Sequence, residues 1–155
     1  MACLIRDIRK DLNTPELPCV IGVMGIGGPI EGGKQAAFRK KQAAPAALPE
    51  FKGTVAAVQT ATCWDMELKR IQGKLSEAVK KKILASDPKK GGKALRKAIG
   101  KAMKTMAPEL LTPEELNIVK NGTSNQAYHY MGSAYTFGKI GKAFADSMAE
   151  MLKKK

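Results

Sequence analysis

Leu17-Pro18-Cys19-Val20-Ile21-Gly22-Val23-Met24 is a short apolar stretch near the start of this chain of 155 residues. It is rich in β-branched residues and no charge interrupts it, a pattern typical of a strand buried on both faces of a parallel sheet. Thr54-Val55-Ala56-Ala57-Val58-Gln59-Thr60 has the same character. The two stretches together predict two buried parallel strands.

Each predicted strand is preceded by a predicted helix. Asn13 and Pro15 end the first helix, whose apolar residues recur at helical spacing: Met1, Leu4, Ile5, Ile8 and Leu12. Good helix formers run from Lys34 to about Ala44, where Pro45 breaks the pattern. The order helix, strand, helix, strand indicates an α/β fold, but two strands apolar on both sides need neighbours. We therefore expect the sheet to be completed by a missing N-terminal half or by another chain.

A lysine-rich helical hairpin is predicted over residues 66–106, as an insertion within a single partial domain of residues 1–155. The hairpin breaks at Asp87-Pro88. Thr112-Pro113-Glu114-Glu115 is a capping-box pattern and predicts the start of a short helix. A last helix is expected from about Ser133, with these residues forming its buried stripe: Phe137, Ile140, Phe144, Met148, Met151 and Leu152.

The positive charge of the chain is concentrated in the predicted hairpin. Lys and Arg number 27 against 14 acidic residues, a net charge of +13. Residues 73–104 hold eleven of the basic residues and two of the acidic ones. A solvated charged face is the simplest interpretation. The alternative function is a small basic binding module that contacts polyanions through residues 73–104. Nucleic acid is not an expected partner, because the segment lacks interleaved aromatic residues and any recognised binding pattern.

The segment Gly28-Pro29-Ile30-Glu31-Gly32-Gly33-Lys34-Gln35 partly fits a phosphate-binding loop. Gln35 stands where such a loop needs Ser or Thr for Mg²⁺, Glu31 would repel phosphate, and Pro29 lacks an N–H donor. The glycines are therefore expected to form a flexible surface loop, and no nucleotide is expected.

Other cofactors and membranes are not expected either. Cys3, Cys19 and Cys63 are widely separated without metal-site spacing, so free thiols and no metal are expected. Cys63 and Trp64 should pack at the end of the second strand. Charges interrupt the N-terminal segment too early for a signal peptide, and no run approaches about 18 apolar residues. The chain as written reads as cytoplasmic, and its true compartment is left open.

His129 is the only histidine and precedes the last predicted helix, in Ser124-Asn125-Gln126-Ala127-Tyr128-His129-Tyr130-Met131-Gly132-Ser133. A loop lets an imidazole reach into a cleft, while the helix behind it fixes its position, so hydrolases often place a general base at such a junction. His129 is therefore the candidate catalytic residue. A histidine without chemistry is the alternative.

Several segments resemble one family, the SGNH or GDSL-type serine hydrolases of the sialate O-acetylesterase and carbohydrate acetylesterase group. The matching segments are Leu4-Ile5-Arg6-Asp7-Ile8-Arg9-Lys10-Asp11-Leu12, Leu17-Pro18-Cys19-Val20-Ile21-Gly22-Val23-Met24-Gly25, Ala46-Ala47-Leu48-Pro49-Glu50-Phe51-Lys52-Gly53, Asn125-Gln126-Ala127-Tyr128-His129-Tyr130-Met131-Gly132-Ser133-Ala134 and Ile140-Gly141-Lys142-Ala143-Phe144-Ala145. The resemblance implies a three-layer α/β/α sandwich with a flavodoxin-like parallel sheet. It also implies hydrolysis of acetylated carbohydrates, with His129 as general base.

The chain departs from that family in two places. The family's acid commonly lies three residues before the histidine, where Gln126 stands here. Its nucleophile lies in an upstream Gly-x-Ser segment that this chain lacks, and the chain's serines are Ser76, Ser86, Ser124, Ser133 and Ser147. We expect the C-terminal part of such a hydrolase, inactive alone, arising as a fragment, a split gene or a degenerate product. An upstream reading frame that encodes the serine half would restore an ordinary esterase.

Overall fold

The computed structural model describes residues 1–153 and combines a small parallel sheet with helices, which confirms a mixed α/β fold. The helices and strands in chain order are α1 (Ala2–Asp11), β1 (Cys19–Val23), α2 (Gly33–Ala43), β2 (Val55–Gln59), α3 (Met66–Ser86), α4 (Gly92–Leu110), α5 (Pro113–Gly122) and α6 (Ala134–Lys153). Helices make up most of the chain. Both predicted strands and all of the predicted helices form close to their expected bounds.

The chain divides into two compact units. The first, which we name the sheet unit, holds residues 1–64 and 126–153, and the second, the helical unit, spans Asp65–Asn125. The helical unit contains α3, α4 and α5 and is therefore longer than the predicted insertion of residues 66–106.

The sheet of the first unit consists of β1 and β2 in parallel register, from Cys19 opposite Val55 to Val23 opposite Gln59. One face of the sheet joins a core that is formed by Ile5, Ile21, Val23, Phe51 and Val55. Gly22 points to the opposite face, where a Cβ added to it would lie 2.8 Å from the Phe144 ring of α6. Helices thus contact both faces of the sheet.

The expectation that both strands are buried throughout is wrong at Gly22 and Gln59, which are exposed. Gln59 is the last residue of β2 and turns toward solvent where the strand ends. Gly22 has no side chain with which to cover its own backbone, and the Phe144 ring covers only part of it.

Helix α1 buries fewer of its apolar residues than its spacing predicts. Ile5 is buried, whereas Met1, Leu4 and Leu12 are 57%, 54% and 61% exposed. The second buried residue of the helix is Arg9. A sheet of two strands is narrow, so it covers one row of α1 side chains and leaves the next row open.

Arg9 connects α1 to the amino ends of both strands. One Nη donates to the Leu17 carbonyl at 2.8 Å and to the Thr54 Oγ1 at 2.9 Å. The guanidinium also lies 5.1 Å from the centre of the Phe51 ring. The arginine is therefore buried with its donors satisfied, as a buried charge requires.

In α6 the predicted buried stripe is wrong at both ends. Phe137 and Leu152 are 51% and 55% exposed, while Met151 is buried and Phe144 is half-buried. Met151 and Leu152 are neighbours at the same end of the helix, so the covered row of α6 is narrower than the predicted stripe.

The three cysteines are free, as predicted, although only Cys63 is buried and Cys3 is exposed. Trp64, beside Cys63, is 4% exposed. Both residues lie within five positions of the end of β2, as expected.

The helical unit has a core of its own between α3 and α4. Its buried residues are Ile71, Leu75, Val79, Ala107 and Leu111. The capping box that starts α5 is confirmed: the Thr112 hydroxyl accepts from the Glu115 N–H at 3.2 Å, and the Glu115 carboxylate accepts from the Thr112 N–H at 3.2 Å.

Glu115 provides a prediction for this unit. Its side chain is 12% exposed and lies 2.7 Å from Lys74 on α3. The Lys74 ammonium, and then the Thr112 N–H, lower the pKa of this carboxyl. Because the folded-state pKa is lowered, the ionised carboxylate stabilises the folded protein at pH values above its ordinary pKa of 4.5. This contribution is lost as the pH falls through the folded-state pKa. Glu115→Gln should therefore lower Tm at about pH 7 and flatten its decline in acid.

Thermal unfolding followed by circular dichroism across this pH range measures both effects. Glu109→Gln is the matched control, because its carboxylate is 69% exposed and meets Lys82 only at 3.5 Å. Equal responses of the two variants would contradict the role given to Glu115.

Candidate functional site

His129 lies in a tight turn, Ala127–Gly132, that we name the histidine turn. The Gln126 carbonyl accepts from the His129 N–H at 2.9 Å and from the Met131 N–H at 3.0 Å. Tyr130 and Met131 both have left-handed backbones, with φ of 52° and 58°. That conformation is uncommon outside glycine and costs about 1 kcal/mol or more for each residue. Contacts elsewhere must hold this turn in place.

The Tyr130 hydroxyl is the main contact that holds it. The hydroxyl oxygen accepts from the Gly25 N–H at 2.8 Å, and it lies 2.9 Å from the Thr60 Oγ1. Thr60 donates its own proton to the Val23 carbonyl at 2.7 Å, so Tyr130 is the donor toward Thr60. The histidine turn is thereby attached to the carboxyl ends of β1 and β2. Open parallel sheets bind their ligands at this edge.

Aromatic and apolar packing supports the same attachment. The Tyr130 ring lies 5.6 Å from the ring of Trp64 and 5.8 Å from that of Phe137, measured between centroids. Met131 is 6% exposed. Because Tyr130 and Met131 are held from several sides, the strained backbone beside His129 is stable.

His129 itself is exposed, and α6 begins five residues after it. Its ring meets the ring of Tyr128 edge-on, with centroids 4.4 Å apart. The prediction that His129 lies at a loop-to-helix junction is confirmed. The imidazole is open to solvent while the residues that follow it are fixed to the sheet.

The serines of the sheet unit do not form a pair with His129. Ser133 is 1% exposed, and its Oγ accepts from the Thr136 N–H at 3.3 Å, which confirms it as the cap of α6. Ser147 lies on α6 about 20 Å further along the helix axis, since each residue adds 1.5 Å. Of the remaining serines, Ser76 and Ser86 lie on α3, and Ser124 lies five residues before His129 in the sequence.

The glycine loop, residues 24–32, is held at its start and exposed further along. Gly25 and Gly28 are buried. Arg39 of α2 is 7% exposed and donates to the Ile26 carbonyl at 2.8 Å and to the Gly28 carbonyl at 2.9 Å. Residues 29–32 are exposed, which confirms the surface position predicted for that part of the loop.

A shallow cavity of about 440 Å³ opens at this edge of the sheet. Its wall includes Pro29 and Ile30 of the glycine loop, Arg39 and Lys40 of α2, and Thr62 after β2. Its lining includes neither His129 nor any other residue of the histidine turn.

Sequence reasoning found His129 but missed the residues that position it. Tyr130, Thr60 and Gly25 come from three separate segments, and nothing in the local pattern marks them as partners. The one available signal was Gly25 directly after a strand, which is where close backbone approach favours glycine.

No protein family, curated protein or solved structure matches this chain. Within residues 1–153, no cluster of three or more His, Cys, Asp or Glu side chains is placed to hold a metal ion. In the same part of the chain, no helix has both the length and the apolar character that a membrane span needs.

Tyr130→Phe should lower the free energy of unfolding by about 1–3 kcal/mol, because the buried Gly25 N–H loses its acceptor. Chemical denaturation measures this change. Tyr135→Phe is the matched control, since Tyr135 is 58% exposed and its hydroxyl meets only Lys139 on the surface. That control should change stability by less than about 0.5 kcal/mol. Similar losses in both variants would contradict the anchoring role of Tyr130.

Gly25→Ala should be more disruptive. An added Cβ would lie 2.3 Å from the Ala61 backbone nitrogen and 2.6 Å from the Thr60 Oγ1. Backbone cannot move aside cheaply, so we expect a loss above about 3 kcal/mol in denaturant unfolding. Gly73→Ala, on α3 with nothing within 4 Å of the added atom, should instead stabilise by about 0.5–1 kcal/mol. A tolerated Gly25→Ala would show that the contact between β1 and the segment after β2 is looser than described.

Proposed function

We propose that this chain carries the general-base side of the active site of a serine ester hydrolase that acts on acetylated carbohydrates. The observation that carries the proposal is the attachment of the histidine turn to the carboxyl ends of β1 and β2 through the Tyr130 hydroxyl. The family resemblance of the sequence supports the same assignment.

His129 would accept the proton of a serine hydroxyl as that oxygen attacks the acetyl carbonyl, and would then return the proton to the leaving sugar oxygen. Such a base has to be open to the substrate and fixed in position. His129 is exposed, and Tyr130 and Met131 after it are anchored to the sheet and to the aromatic cluster. The strained turn is consistent with a functional site, since backbone strain is concentrated at such sites.

The nucleophile would come from a segment outside this chain. Ser133 is buried as a helix cap, and Ser147 is a helix length away from it. Neither hydroxyl is placed as the nucleophile of such a site. Because the chain also lacks the upstream Gly-x-Ser segment of the family it resembles, we expect the chain alone to lack esterase turnover.

The acid that orients the imidazole would also lie elsewhere. Gln126 occupies the expected position, and an amide cannot stabilise an imidazolium as a carboxylate does. In this chain Gln126 serves the turn through its backbone, since its carbonyl accepts two N–H groups.

The incomplete sheet supports the proposal that a further polypeptide, either a missing N-terminal half or another chain, completes a three-layer α/β/α sandwich. Within residues 1–153 the sheet has two strands, each with one neighbour. Helix α1 leaves Met1, Leu4 and Leu12 more than half exposed. Added strands and their helices would pair the open edges and cover this apolar row.

The test starts from the DNA upstream of the codon for Met1. The longest frame that contains this chain is expressed and assayed for acetate release from acetylated xylan, beside the 155-residue chain assayed alone. We expect turnover from the longer protein, reduced at least about 10³-fold by His129→Ala. Lys10→Gln, an exposed change on α1, is the control and should leave turnover unchanged.

Two results would overturn parts of this proposal. Full activity of His129→Ala in the longer protein would remove the histidine from the mechanism. Turnover by the 155-residue chain alone that disappears in His129→Ala would show that the nucleophile lies within it after all.

A further inference from the structure

The helical unit carries an exposed row of basic side chains on α4. The row, which we name the lysine stripe, consists of Lys93, Arg96, Lys97, Lys101 and Lys104. All five residues are exposed. Their spacing of three or four residues places them on one face of the helix, over about 16 Å of its axis.

The five side chains are not neutralised by the protein. None of them forms an ion pair or a hydrogen bond with the residues that the structure describes, and Asp87 is the single acidic residue between positions 80 and 104. The other end of the hairpin is different. There Arg70 and Lys74 meet Glu67 and Glu115 at 2.7 Å each.

Like charges one helical turn apart repel each other and disfavour the helix. The opposite face of α4 is already used, because Ile99, Met103 and Ala107 pack in the core with α3. The stripe therefore presents charge without an accompanying exposed apolar face. A helix that inserts into a membrane surface needs both a charged and an apolar face, so insertion into a lipid surface does not fit.

We propose that the lysine stripe is a docking surface for a linear acidic polysaccharide. The positive charges of the stripe would replace the counterions along the polymer, so they would bind it without recognising individual sugar units. The helical unit has no aromatic residue between Trp64 and Tyr128, so it cannot stack on the bases of a nucleic acid strand. The choice of a carbohydrate over the nucleic acid backbone rests on the proposed function. Docking would raise the local concentration of acetylated polymer around the covalently linked histidine turn.

The first test uses the 155-residue chain and fluorescein-labelled heparin as the acidic probe, with binding measured by fluorescence anisotropy across a salt series. Neutral dextran and a short DNA duplex are the comparison polymers. The test variant combines Lys93→Gln, Lys97→Gln, Lys101→Gln and Lys104→Gln. The matched control combines Lys10→Gln, Lys34→Gln, Lys41→Gln and Lys52→Gln, which are exposed lysines of the sheet unit and remove the same charge.

We expect heparin to bind more tightly than the duplex, and dextran not to bind. At 0.1 M salt the stripe variant should weaken heparin binding at least about tenfold, and it should flatten the salt dependence, because fewer counterions are released. At the same salt concentration the control should lose less than about threefold, because its four lysines are not part of the stripe. Changing the same four stripe lysines to Arg keeps the charge and should keep the binding. Circular dichroism confirms that every variant is folded.

Three results would overturn the inference: no heparin binding, equal losses in the stripe and control variants, or tighter binding to the duplex with the same dependence on the stripe. The third result would reassign the surface to nucleic acid.

A kinetic measurement separates this inference from the proposed function. In the longer protein, the stripe variant should raise KM for acetylated polygalacturonate and leave turnover of p-nitrophenyl acetate unchanged. Absence of all ester turnover would refute the proposed function. Turnover with an unchanged KM for the acidic polymer would refute the docking surface alone.

Discussion

The sheet unit depends on one hydroxyl group. The Tyr130 oxygen accepts from the Gly25 N–H after β1 and bonds to Thr60 after β2, while Thr60 itself is bonded to the Val23 carbonyl. Three segments that are distant in the chain meet in this network. It satisfies polar groups that would otherwise be buried without partners, and such groups are costly. The same bonds hold the two left-handed residues that follow His129.

The narrowness of the sheet explains most of what is unusual about this unit. Two strands offer little surface, so each covering helix buries one part of its apolar face and exposes the rest. Ile5 is buried while Leu4 and Leu12 are open, and Met151 is buried while Phe137 and Leu152 are open. Apolar residues left open on two helices, together with two unpaired strand edges, are what a larger α/β sheet would cover.

The helical unit differs from the sheet unit, because its core lies between helices and it contains no strand. Glu115 pairs with Arg70 and Lys74 where α5 meets α3, whereas the five cations of the lysine stripe on α4 form no ion pair with the residues that the structure describes. The net charge of +13 does not reveal this difference. The residue spacing of an α-helix places the basic residues of this lysine-rich segment in one row, the lysine stripe.

The sequence by itself determined the local elements. Uncharged β-branched runs specified β1 and β2, Thr112 and Glu115 specified the start of α5, and Ser133 marked the cap of α6. These signals act over a few residues, so they can be read from the chain directly. The position of His129 before a helix was equally readable.

Only the tertiary structure decided which face of each helix is covered and what holds the histidine turn. Arg9 is charged and nevertheless buried, because the residues before the two strands supply carbonyl and hydroxyl acceptors for it. Tyr130 gained its role in the same way, from the Gly25 N–H, which is far away in the chain. Arg39 binds carbonyls in the loop before its own helix, a contact that the local pattern also does not mark. A hydrogen bond across more than a hundred residues leaves no local pattern, since its partners are brought together only when the strands and helices pack.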